Sequence, residues 1–160
     1  MQMQLFFSPA QESEAFKARL KGGDACDCPV CGRHAQIYRR KFHSSMALQL
    51  IRMYQLGGGK EYIHASKLIV AGVSGSGDFS KAKYWDLIFP KPTTDNEESK
   101  SNGFWILSDK GEQFVRGEIR IPREVLVFDD KVEGISTETI SITEALGTKF
   151  NYQELMETHA

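Results

Sequence analysis

All three cysteines of the chain, Cys26, Cys28 and Cys31, fall within six residues. An odd number spaced so closely cannot staple distant parts of a fold as disulfides. It points instead to metal or thiol chemistry confined to one short segment. The rest of the fold must then be held by a hydrophobic core. The chain has 160 residues, of which 41% are hydrophobic and 26% charged. That suits one domain with small attachments and excludes a mainly disordered or fibrous chain. No apolar run approaches the roughly 20 residues that span a bilayer. The opening MQMQLFFSPAQESE lacks the basic region and the apolar length of a signal peptide. The expectation is a cytoplasmic protein with no membrane contact.

Cys28-Pro29-Val30-Cys31-Gly32 resembles a zinc knuckle. Two thiolates must be aimed at one metal, each at roughly 2.3 Å, and two intervening residues allow a turn tight enough to do so. Gly32 can adopt the positive φ needed just after the second sulfur. A structural zinc needs four ligands, and Cys26 and His43 are the expected others, with His34 as the alternative. Two further readings stay open. Cys-Pro-x-Cys also occurs in thioredoxin-like redox proteins, although Lys-Gly-Gly-Asp upstream and Gly32 downstream do not suit that strand-to-helix context. The cysteines could also be plain reduced thiols.

The spacing along the chain suggests an α+β protein. Residues 1–25 read as an N-terminal strand and helix, and 26–43 as the knuckle segment. From Ser44 or Ser45, Ala47, Leu50, Ile51 and Tyr54 recur at i, i+3, i+4 and i+7, the signature of one buried helical face. Gly57-Gly58-Gly59 ends that helix. A second short helix is expected over 64–70 and a third from Asp78 to about Leu87. Strands are expected on either side of a polar loop that runs from Pro92 to Asn102, so that three short helices precede a hairpin. Residues 118–160 form a β-rich C-terminal extension with a terminal helix. Leu50, Ile51, Leu68, Leu87 and Trp105 are the expected core, and Trp85 and Phe104 are expected there too, with base stacking as the alternative use of Trp85, Trp105 and Phe104.

Residues 44–117 then resemble a winged helix-turn-helix domain. The second strand of such wings often carries an aromatic-x-Leu-Thr pattern followed by x-Lys-Gly-x-x-Phe. Here Trp105-Ile106-Leu107-Ser108 is followed by Asp109-Lys110-Gly111-Glu112-Gln113-Phe114. Upstream, Tyr84-Trp85-Asp86-Leu87-Ile88 is similar to the end of the family's recognition helix, with Asp86 where glycine is usual. The resemblance implies that the helix after Gly77 enters the DNA major groove and offers Ser80, Lys81 and Lys83 to bases or phosphates. Knuckle, winged helix and β-rich tail together resemble small uncharacterised bacteriophage and prophage proteins, a resemblance that carries no established activity; the expectation is a DNA-binding protein such as a phage or prophage regulator.

Charge gives this reading both support and a rival. Net charge is -1, so there is no bulk electrostatic case for nucleic acid. Yet from Cys28 to Lys60 there is no acidic residue, while Arg33, Arg39, Arg40, Lys41, Arg52 and Lys60 are all present. Arg39, Arg40 and Lys41 could grip phosphate. From Glu124 onward eight acidic residues face only Lys131 and Lys149. The expected wing tip holds Asp95, Glu97 and Glu98, which suits contact with phosphates poorly. The alternative is therefore a phage-encoded protein-interaction module, or an inhibitor of a host complex, that docks through those carboxylates. Gly57-Gly58-Gly59-Lys60 lacks Walker spacing, and no nucleophile, base and acid are grouped in the sequence. An enzyme is not expected.

Overall fold

The computed structural model describes residues 14, 18–19, 26–27, 32, 34–68, 77–92, 103–128 and 130–157. Helices and strands are mixed, as an α+β chain requires. In chain order come β1 (Cys26–Asp27), β2 (His34–Ala35), β3 (Tyr38–Lys41), α1 (Ser44–Gln55), β4 (Ile63–His64), and two 3-10 segments, Ala65–Leu68 and Gly77–Trp85. Then follow β5 (Ile88–Pro90), β6 (Phe104–Leu107), α2 (Asp109–Val115), β7 (Ile121–Pro122), β8 (Glu124–Phe128), β9 (Lys131–Ile135), β10 (Thr139–Ile140), α3 (Ile142–Leu146) and α4 (Tyr152–Glu157). The chain divides into two compact units, residues 1–40 with 126–134, and residues 41–125 with 135–160.

In the first unit β1 and β2 form an antiparallel hairpin, with Cys26 opposite Ala35 and Asp27 opposite His34. Most of a three-stranded sheet of order β3-β8-β9 also belongs here. The turn between β8 and β9 carries Asp130 at φ +61°. Aspartate tolerates that left-handed region better than most side chains.

The second unit is built around α1. Ala47, Leu50 and Ile51 are buried at the spacing noted in the sequence, and so are Met46, Leu48, Gln49 and Met53. A helix buried beyond a single stripe needs neighbours on several sides. α1 has them in the 77–85 segment, α2, α3 and α4. Leu68, Leu87 and Trp105 are buried with them. The 77–85 segment winds as a 3-10 helix rather than an α-helix. Its buried residues, Phe79, Ala82 and Trp85, recur every third position, which matches three residues per turn.

β4, β6 and β5 make an antiparallel sheet in that order, with Ile63 opposite Trp105 and Ile88 opposite Leu107. Strand side chains alternate between faces. Ile63, Ile88, Trp105 and Leu107 therefore point to the core, and all four are buried. Phe104 corrects an expectation: it lies on the other face of β6 and is 36% exposed, because its neighbour Trp105 takes the inward position.

One knot of hydrogen bonds explains the Ser-Asp-Lys-Gly motif. Ser108 caps α2, its hydroxyl accepting from the Gly111 amide at 2.9 Å and donating to the Asp86 carbonyl at 2.6 Å. The Ser108 amide donates to the Leu87 carbonyl at 2.9 Å. Gly111 then lies so close to that carbonyl that a Cβ would fall 2.3 Å from its oxygen. Asp86 itself sits at φ +58°, which is the physical reason a glycine suits the position.

The tail of this unit is tied locally. β7 pairs with β10, and Ser141 caps α3 by accepting from the Glu144 amide. Arg120 holds the Glu144 carboxylate through two hydrogen bonds of 2.8 and 2.9 Å, which keeps that carboxyl below its ordinary pKa. The Tyr152 hydroxyl donates to the Val115 carbonyl at 2.7 Å, and burial raises its pKa.

Candidate functional site

The cysteine segment is flanked by paired strands. Residues 28–33 connect β1 to β2, so both ends of the cysteine segment are held by the hairpin. Gly32 has φ +72° and open space around its α-carbon, the backbone conformation a turn after Cys31 needs. Cys26 is in β1. Across the hairpin, the His34 ring nitrogen Nδ1 lies 3.3 Å from Asp27 Oδ1. Metal-binding histidines commonly use one ring nitrogen for a carboxylate and the other for the metal, so this contact suits His34 as a ligand. His43 stands just before α1 in the second unit, exposed and without a side-chain capping bond. Cys28, Cys31 and Arg33 lie outside the described residues. Among the described residues no group of three or more His, Cys, Asp or Glu side chains gathers to hold a metal.

The basic residues fall into two sets. In the first unit, on β3, Arg39 is exposed and Arg40 half-buried, with the Arg40 guanidinium 5.3 Å from the Tyr38 ring centre. The Arg40 Nε is buried without a hydrogen-bond partner. Lys41 belongs to the second unit and lies 3.8 Å from Glu124. Ser80, Lys81 and Lys83, also in the second unit, are half-buried on the 77–85 segment. Each of the three makes a polar or ring contact, and the Lys83 ammonium stands 5.3 Å from the Tyr84 ring centre. Asp95, Glu97 and Glu98 lie outside the described residues.

A feature the sequence reading missed is the outer face of the β4-β6-β5 sheet. Phe89 is 48% exposed, Tyr62 39%, and Phe104 36%. Lys91 stands over two of these rings, 5.7 Å from the Tyr62 centre and 5.5 Å from the Phe104 centre. The signal was present as alternation, since Tyr62, Phe89 and Phe104 each adjoin a residue that points to the core. No family model matches the chain, and neither does any curated protein or solved structure. Among the described residues no helix is long and apolar enough to cross a membrane.

Proposed function

We propose that residues 44–117 are a winged helix-turn-helix that binds double-stranded DNA, in a chain that also holds a zinc knuckle at Cys28 and Cys31. The observation that carries this reading is the order of elements. A helix (α1), a short strand (β4), two short helical segments and a β5–β6 hairpin follow one another, and α2 closes the motif with its Ser108 cap. The 77–85 segment immediately precedes the hairpin, the slot of the recognition helix in that family. Ser80, Lys81 and Lys83 are its polar side chains. They would contact base edges and phosphates, and Arg39 and Arg40 would add phosphate contacts. The role of a phage or prophage regulator rests on the resemblance of the sequence.

The test is duplex binding measured at two salt concentrations. Affinity should fall steeply with salt, because each neutralised phosphate releases about one counterion. Replacing Arg39 and Arg40 with Ala should weaken binding to every sequence and flatten the slope by about one unit per lost contact. Lys81→Ala or Lys83→Ala should also relax sequence preference. Absence of duplex binding even at low salt would overturn the reading.

The knuckle would use Cys28 and Cys31, with Cys26 and His34 as the remaining candidates in the same unit. Zinc there would be structural, fixing a turn too short to hold itself by packing. Protein purified without added metal should contain about one zinc per chain by elemental analysis, and Cys28→Ser should lose it. Well-folded protein without zinc would contradict the site.

A second reading, a protein-interaction module that inhibits a host complex, is favoured by one observation. The rings of Tyr62, Phe89 and Phe104 are exposed on the β4-β6-β5 sheet, and duplex DNA has no use for them.

A further inference from the structure

The outward positions of the β4-β6-β5 sheet form a continuous aromatic and basic surface. Tyr62 and His64 come from β4 and its approach, Phe89 and Lys91 from β5 and its exit, and Phe104 and Ile106 from β6. The register sets them side by side, with His64 opposite Phe104 and Phe89 opposite Ile106. The His64 and Phe104 rings meet edge to face, with centres 4.9 Å apart at 76°. Behind them Ile63, Ile88, Trp105 and Leu107 are buried, so the rings stand on a rigid, packed support. Solvent-exposed aromatics gathered in this way lose burial energy in the free protein, which calls for an occupant.

Charge selects the occupant. The described residues 60–68, 88–92 and 103–107, which include the three strands, hold Lys60, Lys67 and Lys91 against the single carboxylate Glu61, and Lys91 is the cation placed over the rings. Rings beside cations are what a strand of unpaired nucleotides requires: each base has a face to stack and each phosphate a charge to neutralise. Duplex DNA keeps its base faces inside the stack and shows only their edges, so it cannot use these rings. We propose that the outer face of the β4-β6-β5 sheet is a stacking platform for single-stranded nucleic acid. Phe89 and Tyr62 supply the ring faces and Lys91 the phosphate contact. In the free protein the Lys91 ammonium lies over Tyr62 and Phe104. A base that stacks there takes the place of the ammonium on the ring, and the ammonium turns to the phosphate of the same nucleotide. The cation–ring contacts are exchanged for a stacked base and a charge-to-phosphate contact.

This site is separate from the proposed duplex contacts, and one series of titrations tells the two apart. Labelled oligothymidylate and oligouridylate, each of about a dozen nucleotides to cover one such platform, and a duplex of similar length are titrated by fluorescence anisotropy. Phe89→Ala and Tyr62→Ala should each weaken binding to the single strands roughly fivefold to a hundredfold, the range for loss of one stacked base, and leave duplex affinity unchanged. Phe89→Tyr should restore most of the loss, and Lys91→Gln should weaken binding and flatten its salt dependence. Circular dichroism spectra matching the parent confirm that these exposed substitutions leave the fold intact. Lys81→Ala and Lys83→Ala, in the same series, should affect the duplex alone. Absence of single-strand binding at low salt overturns the platform. So does binding that Phe89→Ala and Tyr62→Ala leave unchanged, whatever the duplex does. Loss of a protein partner on the same two substitutions, without any effect on oligonucleotides, would instead make the face a protein-docking surface.

Discussion

Trp85→Ala should destabilise the protein by about 3–5 kcal/mol. The indole is 2% exposed and meets Phe42 edge to face, with ring centres 5.4 Å apart. Phe42 makes the same kind of contact with Phe114 at 5.4 Å, so the three rings pack as one group. The Trp85 Nε1–H also donates to the Pro122 carbonyl at 2.7 Å. Alanine would empty a large part of this core and leave that carbonyl without its donor. Trp85→Phe separates the two effects. It keeps much of the ring packing, and its cost should be nearer the 1–3 kcal/mol of an unsatisfied buried acceptor. Urea unfolding followed by circular dichroism measures both. A loss below about 1 kcal/mol for Trp85→Ala would mean that this ring is not part of the core.

Gly111→Ala sets two effects against each other, so the sign of the result is informative. Alanine is the better helix former by about 1 kcal/mol, and Gly111 lies inside α2. Its Cβ, however, would fall 2.3 Å from the Leu87 carbonyl oxygen and 2.7 Å from a Leu107 methyl. The carbonyl is backbone and already accepts from the Ser108 amide, so it cannot move without opening the link between β5 and α2. Overpacking of this kind costs about 1–3 kcal/mol, and steric conflict should win. The urea midpoint should drop for Gly111→Ala. A rise would show that α2 has room to slide away from β5.

Local patterns were legible in the sequence and long-range pairings were not. The spacing of Ala47, Leu50 and Ile51 gave α1, because a buried helical face leaves a period in one short window. Ser108 and Ser141 each stand directly before the short helix they cap, a pairing of hydroxyl and helix start that is local in sequence. The glycine motif at Gly111 was visible, but its reason was not: it depends on the Leu87 carbonyl, more than twenty residues earlier. A helix was expected from Asp78 to about Leu87, without distinction between the α and 3-10 forms. Phe79, Ala82 and Trp85 carried the three-residue period of the 3-10 form, and the adjacent apolar Tyr84 blurred it. The pairing of β3 with β8, and of β7 with β10, joins segments whose sequences say only that each is a strand.

The candidate sites divide along the same line. Asp27 and His34 looked unrelated until the hairpin set them opposite each other. Lys81 and Lys83 were expected to be exposed, whereas turns of only three residues carry them close to the buried row and leave them half-buried. The aromatic face was hidden for a simpler reason. An aromatic residue in a strand has the same composition signal on either face, and only the register with Ile63, Ile88 and Trp105 decides that Tyr62, Phe89 and Phe104 point outward.

The most direct test of duplex recognition by the 77–85 segment is residue-resolved: amide chemical-shift changes in the intact protein on addition of a short DNA duplex. The winged-helix reading predicts that the largest shifts cluster at Ser80, Lys81, Lys83 and their neighbours, with smaller ones at Arg39 and Arg40. Shifts that leave this segment unchanged, or no shifts at low salt, would contradict it.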